Sequence, residues 1–176
     1  MSIELYVHTS SDALLSPDDL ISEAVSIEWD LALVKDLESM APADFPGTCT
    51  IVGWERAGAE PPPVRDALAT RDQAQLDALY REEVFALVQL SVEKPLAPDE
   101  EELRDLEEHG VDPGHLLRLR EASTRYTLTT SASRNELSEE LQTHVWVLLG
   151  VLTDGLCEDP QEGRFISAAD VADDTE

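Results

Sequence analysis

Lysine is nearly missing from this chain. Lys35 and Lys94 are the only two, and the basic residues together number 12 against 38 Asp and Glu. The formal net charge is −26. Such a surface repels phosphates and anionic lipid headgroups, which disfavours direct contact with nucleic acid or membrane. Cysteine is scarce as well. Cys49 and Cys157 are the only two, too few for a disulfide framework. The longest apolar run, Val145 to Leu152, falls far short of the ~20 residues that a membrane-spanning helix needs. No cationic-then-apolar leader opens the sequence. A cytoplasmic protein with free thiols is therefore the expectation.

Recognisable catalytic signatures are also lacking. There is no G-x-G-x-x-G, no Walker lysine motif, no nucleophile elbow and no Ser-x-x-Lys. His8, His109, His115 and His144 are scattered, and neither cysteine has a partner at metal-ligand spacing. No cofactor and no metal are expected on these grounds.

What is present is enough apolar material for a core. Hydrophobic residues make up 42% of 176, which sets the chain apart from disordered acidic proteins. The sequence predicts one domain over residues 1–167 and an acidic, frayed tail over 168–176. Residues 124–167 read most clearly. Tyr126, Leu128 and Thr130 share one face of a β-branched strand. Ser133 and Glu136 have capping-box spacing. Leu137, Leu141, Val145, Leu148, Leu149 and Leu152 then form a helical stripe that stops near Asp154-Gly155. A turn at Asp159-Pro160-Gln161-Glu162-Gly163 joins two short strands into a hairpin.

Earlier in the chain, Ile3, Leu5 and Val7 alternate as in a strand, and Ser16-Pro17-Asp18-Asp19 is a helix start. Residues 25–34 suit either a helix or a strand, and the reading taken is a short helix followed by a strand. Thr48 to Trp54 and Val84 to Val92 are predicted as interior strands. Prolines and glycine predict loops over 41–47 and 58–63, with helical character from Val64 to Glu83 and a junction near Thr70, where Thr70 and Gln73 repeat the capping spacing. The fold class expected is α+β: a largely antiparallel sheet with helices packed on one face and a C-terminal hairpin.

Two clusters stand out as candidate sites. The first is the carboxylate run Asp99, Glu100, Glu101, Glu102, Asp105, Glu107 and Glu108 on a predicted surface helix. Its early acids suit the positive end of the helix dipole, but Glu107 and Glu108 sit at the wrong end. Helix stability therefore does not account for the whole run. Most charge runs only solubilise; the functional alternative is a docking surface for a basic protein. The second cluster is Glu158, Asp159, Gln161, Glu162 and Arg164 at the terminal turn, where solvated acids around a turn are the simpler explanation. The junction at Glu108-His109-Gly110 resembles a helix-turn-helix spacing, but the acids before it would face the phosphates.

The expected function is thus a non-enzymatic acidic protein that docks a basic partner. It would be an immunity-like neutraliser of a toxin or nuclease, or a mimic of nucleic-acid charge. The alternatives are an enzyme using Glu158, Asp159, Glu162 and His144, or a structural subunit.

Overall fold

A computed structural model describes residues 2–56, 63–168 and 170. The elements run β1 (Ile3–Thr9), α1 (Pro17–Glu23), a 3-10 turn (Ala24–Ile27), β2 (Trp29–Val34) and β3 (Gly47–Glu55). They continue with α2 (Pro63–Thr70), α3 (Gln73–Arg81), β4 (Ala86–Glu93), α4 (Glu100–Glu108) and α5 (Pro113–Glu121). The chain then forms β5 (Thr124–Thr130), α6 (Glu136–Thr153), β6 (Leu156–Asp159) and β7 (Arg164–Ser167). The strands make one antiparallel sheet in the order β2-β3-β4-β5-β1-β6-β7. The expected α+β class, the antiparallel sheet and the C-terminal hairpin are all present. Most of the loop expected over 58–63, and all of the tail except Ala168 and Asp170, lie outside the described residues.

Strand alternation divides the core. Leu5, Val7, Leu31, Leu33, Ile51, Val88, Leu90 and Leu128 face α6, whose Leu141, Val145, Leu148 and Leu149 complete the main cluster. The opposite face carries helices too, which the expectation of helices on one face did not include. Over β2 and β3, α2 and α3 pack Val64, Ala67, Leu76 and Leu79 against Val52 and Trp54. At the other end, α4 and α5 pack Leu103, Leu116 and Leu119 against Leu156. The physical reason is visible in β2 and β3, where consecutive apolar residues such as Leu33-Val34 and Ile51-Val52 require cover on both sides.

Local capping follows side-chain chemistry, with two corrections. Ser16 caps α1, as the sequence predicts, and it does so in a reciprocal box with Asp19. The α6 cap is Asn135 rather than Ser133: its Oδ1 accepts from Ser138 N at 2.9 Å, while its Nδ2 donates to Phe85 O at 2.9 Å. Asparagine caps as well as serine does, and here it also ties the helix start to the end of the loop before β4. Asp72, not Thr70, caps α3, because the Thr70 hydroxyl bonds back to Asp66 O instead. Residues 25–34 resolve as a 3-10 turn and a strand, separated by Glu28 in a left-handed conformation (φ 62°).

One buried amide pins α6 to the sheet. Gln142 Nε2 donates to Ile3 O and Leu128 O at 3.0 and 2.9 Å, and its Oε1 accepts from the Thr130 hydroxyl at 3.0 Å. Its polar atoms are thus matched rather than left to cost stability.

Cys49 on β3 and Cys157 on β6 are both buried free thiols. Burial pushes Cys49 up to about 11 and Cys157 up to about 12. Because the thiolate is the reactive form, iodoacetamide at a pH of about 8 should label neither in the folded protein and both in denaturant. Mass spectrometry counts the adducts, and rapid labelling of either native thiol would contradict this packing.

Candidate functional site

Between the two helical layers, the second face of the sheet is left polar. Register lines its side chains up in rows across the strands. Thr50, Gln89, Thr129 and Glu4 form one row, and Thr48, Ser91, Thr127, Tyr6 and Glu158 form the next. Glu93, Arg125 and His8 make a third. The Tyr6 hydroxyl donates to Glu4 Oε2 at 2.7 Å, and burial together with that carboxylate pushes the phenol up to about 12. Arg125 donates from Nε and Nη2 to Glu93 Oε2 at 3.1 and 2.7 Å, with its guanidinium over the Tyr6 ring.

α4 stands at one end of this face. Asp99 caps it, accepting from the Glu101 and Glu102 amides at 3.0 and 3.1 Å. Gly110, in a left-handed conformation (φ 81°), follows the C-terminal turn. Only Leu103 and, in part, Leu106 turn inward, so the acids occupy the rest of the circumference. All seven predicted residues, Asp99, Glu100, Glu101, Glu102, Asp105, Glu107 and Glu108, are exposed. Glu100 approaches Arg120 at 3.8 Å. Among the described residues, Glu101, Glu102, Asp105, Glu107 and Glu108 have no cation within salt-bridge reach. Helical spacing places Glu101, Asp105 and Glu108 on one stripe. An open groove runs along Asp99, Glu101, Glu102 and Asp105 to Leu106 and His109.

Beneath the start of α4 lies a cavity of about 230 Å³. Its floor is His8, Arg125 and Glu158; its walls are Leu96, Ala97, Pro98, Leu103, Leu106 and Leu119; Asp99 and Glu102 stand at its rim. His8 and Glu158 are each only 9% exposed. They share a hydrogen bond of 2.7 Å between Nε2 and Oε2. This pair was not singled out from sequence. The usable signal was alternation: Tyr6 and His8 share one face of β1, and Leu156 and Glu158 share one face of β6.

The terminal-turn cluster does not come together as a site. Glu158 is buried beside His8, whereas Glu162 and Arg164 are exposed around the turn. Asp159 Oδ1 accepts from Gln161 N and Glu162 N at 3.0 and 3.3 Å, which makes it a turn residue. His144 lies across the sheet on α6, where its Nδ1 accepts from Trp29 Nε1 at 2.9 Å. The grouping of Glu158, Asp159, Glu162 and His144 is therefore not formed. Strand alternation sends adjacent Glu158 and Asp159 to opposite sides, and α6 belongs to the other face.

Among the described residues no helix is long and apolar enough to cross a membrane, and no group of His, Cys, Asp and Glu is arranged to hold a metal ion. Compared with protein-family models, with curated proteins and with solved structures, the chain matches none of them.

Proposed function

We propose that this is a non-enzymatic acidic protein that docks a basic protein partner through α4. The partner class is a toxin or nuclease to be neutralised, or a protein whose nucleic-acid site the carboxylates imitate. One observation carries the reading: five α4 carboxylates stand exposed with no cation within salt-bridge reach among the described residues. Like charges this close repel one another, so the helix bears a cost that a cationic surface would relieve. The same charge disfavours direct contact with nucleic acid or membrane. Two free thiols support a cytoplasmic location.

The test is kinetic. Opposite charges steer encounter, and salt screens them over about 8–10 Å near physiological ionic strength. With a basic partner identified by pull-down from the native host, association should slow steeply with added salt while dissociation changes little. Replacing Glu101, Asp105 and Glu108 by Gln should reproduce much of that slowing and leave the melting temperature unchanged or slightly raised. If the triple variant associates as fast as the parent, α4 is only a solvated face.

A second reading, an enzyme, is favoured only by the buried His8–Glu158 pair facing a cavity. A paired acid and base can move a proton. Turnover of a substrate that His8→Ala abolishes, with binding kept, would establish that reading over docking.

A further inference from the structure

The cavity beneath α4 is small. At about 230 Å³ it falls below the roughly 300–1,000 Å³ typical of sites that enclose a drug-sized ligand. It does suit one long side chain. Its walls are aliphatic at Leu96, Leu103 and Leu106, and its polar groups lie at the two ends. Inside, Glu158 Oε2 is engaged by His8, but among the described residues Oε1 has no hydrogen-bond partner. Among the described residues this oxygen is not one of the sealed polar atoms left without a partner, so it is open to the cavity and free to accept from an entering donor. At the mouth, the Asp99 and Glu102 carboxylates add negative charge. The one permanent cation on the floor, Arg125, is already neutralised by its two hydrogen bonds to Glu93.

We propose that this cavity receives a single arginine side chain of the basic partner. Its guanidinium donates to Glu158 Oε1, and its methylenes lie against Leu96, Leu103 and Leu106. The inference rests on the docking reading and names the anchor within it. Arginine fits better than lysine for two reasons. A guanidinium presents five donors in a fixed plane, so it meets Glu158 Oε1 with a defined geometry. It is also more weakly hydrated than an ammonium, so entering a confined, partly apolar cavity costs it less. The carboxylates outside on α4 would then steer the partner, and this cavity would hold it. Arginine is, with tryptophan and tyrosine, among the residues enriched at the desolvated hot spots of protein interfaces.

The probe is N-acetyl-arginine amide, titrated into the intact protein and followed by amide chemical shifts. The lysine and citrulline amides serve as comparisons; citrulline keeps arginine's shape without its charge. The arginine probe should bind weakly, with a dissociation constant on the order of millimolar, and shift His8, Glu158, Leu96 and Leu103. Lysine and citrulline probes should bind about tenfold more weakly or worse. Glu158→Gln and Ala97→Trp should each weaken the arginine probe by a similar factor; the second fills the cavity from an exposed position and leaves the buried pair intact. An unchanged melting midpoint for Ala97→Trp shows that the fold survives.

No shift at tens of millimolar probe would overturn the proposal, as would equal binding of citrulline or undiminished binding to Ala97→Trp. The docking reading has its own readout in the association rate of the Glu101, Asp105 and Glu108 triple variant. Failure of the probe alone therefore removes the anchor and leaves the steering surface standing.

Discussion

Leu149→Asp is expected to leave the chain unfolded, and Leu149→Ala to cost about 2–5 kcal/mol, the range for emptying a packed aliphatic site. Leu149 is fully buried, and Leu148 beside it is 6% exposed. Both belong to the cluster that joins α6 to the sheet. A domain of this size is stable by only about 5–15 kcal/mol, so the alanine change alone removes a substantial fraction. An unpaired carboxylate at the same position adds a desolvation penalty that the remaining margin cannot absorb. Leu148→Ala should fall in the same range, toward its lower end. Urea denaturation followed by circular dichroism reads the change. A variant with the parent's midpoint would mean that α6 does not carry the core.

The second large effect is expected at Trp29. It is 2% exposed at the start of β2, in the main core, and its indole donates to His144 at 2.9 Å. The two rings meet edge to face, with centroids 6.2 Å apart. Trp29→Ala should cost about 3–5 kcal/mol through lost burial and the void left behind. Trp29→Phe restores most of the volume but leaves the His144 acceptor without its donor. Its cost should be smaller, about 1–3 kcal/mol. His144→Ala in the Trp29→Phe background should then add less than it does alone, because the bond is already gone. Strictly additive costs would show that the Trp29–His144 hydrogen bond contributes nothing.

The elements were legible where one pattern dominated. The α6 stripe, the alternation in β1 and β5, and the Ser16-Pro17 start of α1 each follow from spacing alone. Caps were harder, because several residues within a turn can supply an oxygen. At α6 the choice fell to Asn135, whose amide also reaches Phe85. The two-sided cover of the sheet could be suspected from Leu33-Val34 and Ile51-Val52, but which helices lie on which face depends on topology. The acids of α4 were fully legible as exposed charge. His8 and Glu158 were not, because they are separated by 150 residues and meet only through the pairing of β1 with β6. Each alone looks like an ordinary surface residue in the sequence. Their burial comes from α4 and α5, which lie between them in the chain.

The place of β1 in the sheet has a consequence for how the chain is made. It precedes the other strands of this sheet in the chain, yet its neighbours are β5 and β6, and Ile3 pairs with Thr130. During translation β2, β3 and β4 can join as successive antiparallel neighbours, while β1 has nothing to bind until most of the chain has emerged. Contacts this distant in sequence slow folding, and an unpaired strand edge in the meantime invites pairing between nascent chains. A net charge of −26 opposes such encounters, because chains that repel one another seldom stay together long enough to exchange strands. The acidity proposed to steer a partner to the finished protein would thus also shield the unfinished one.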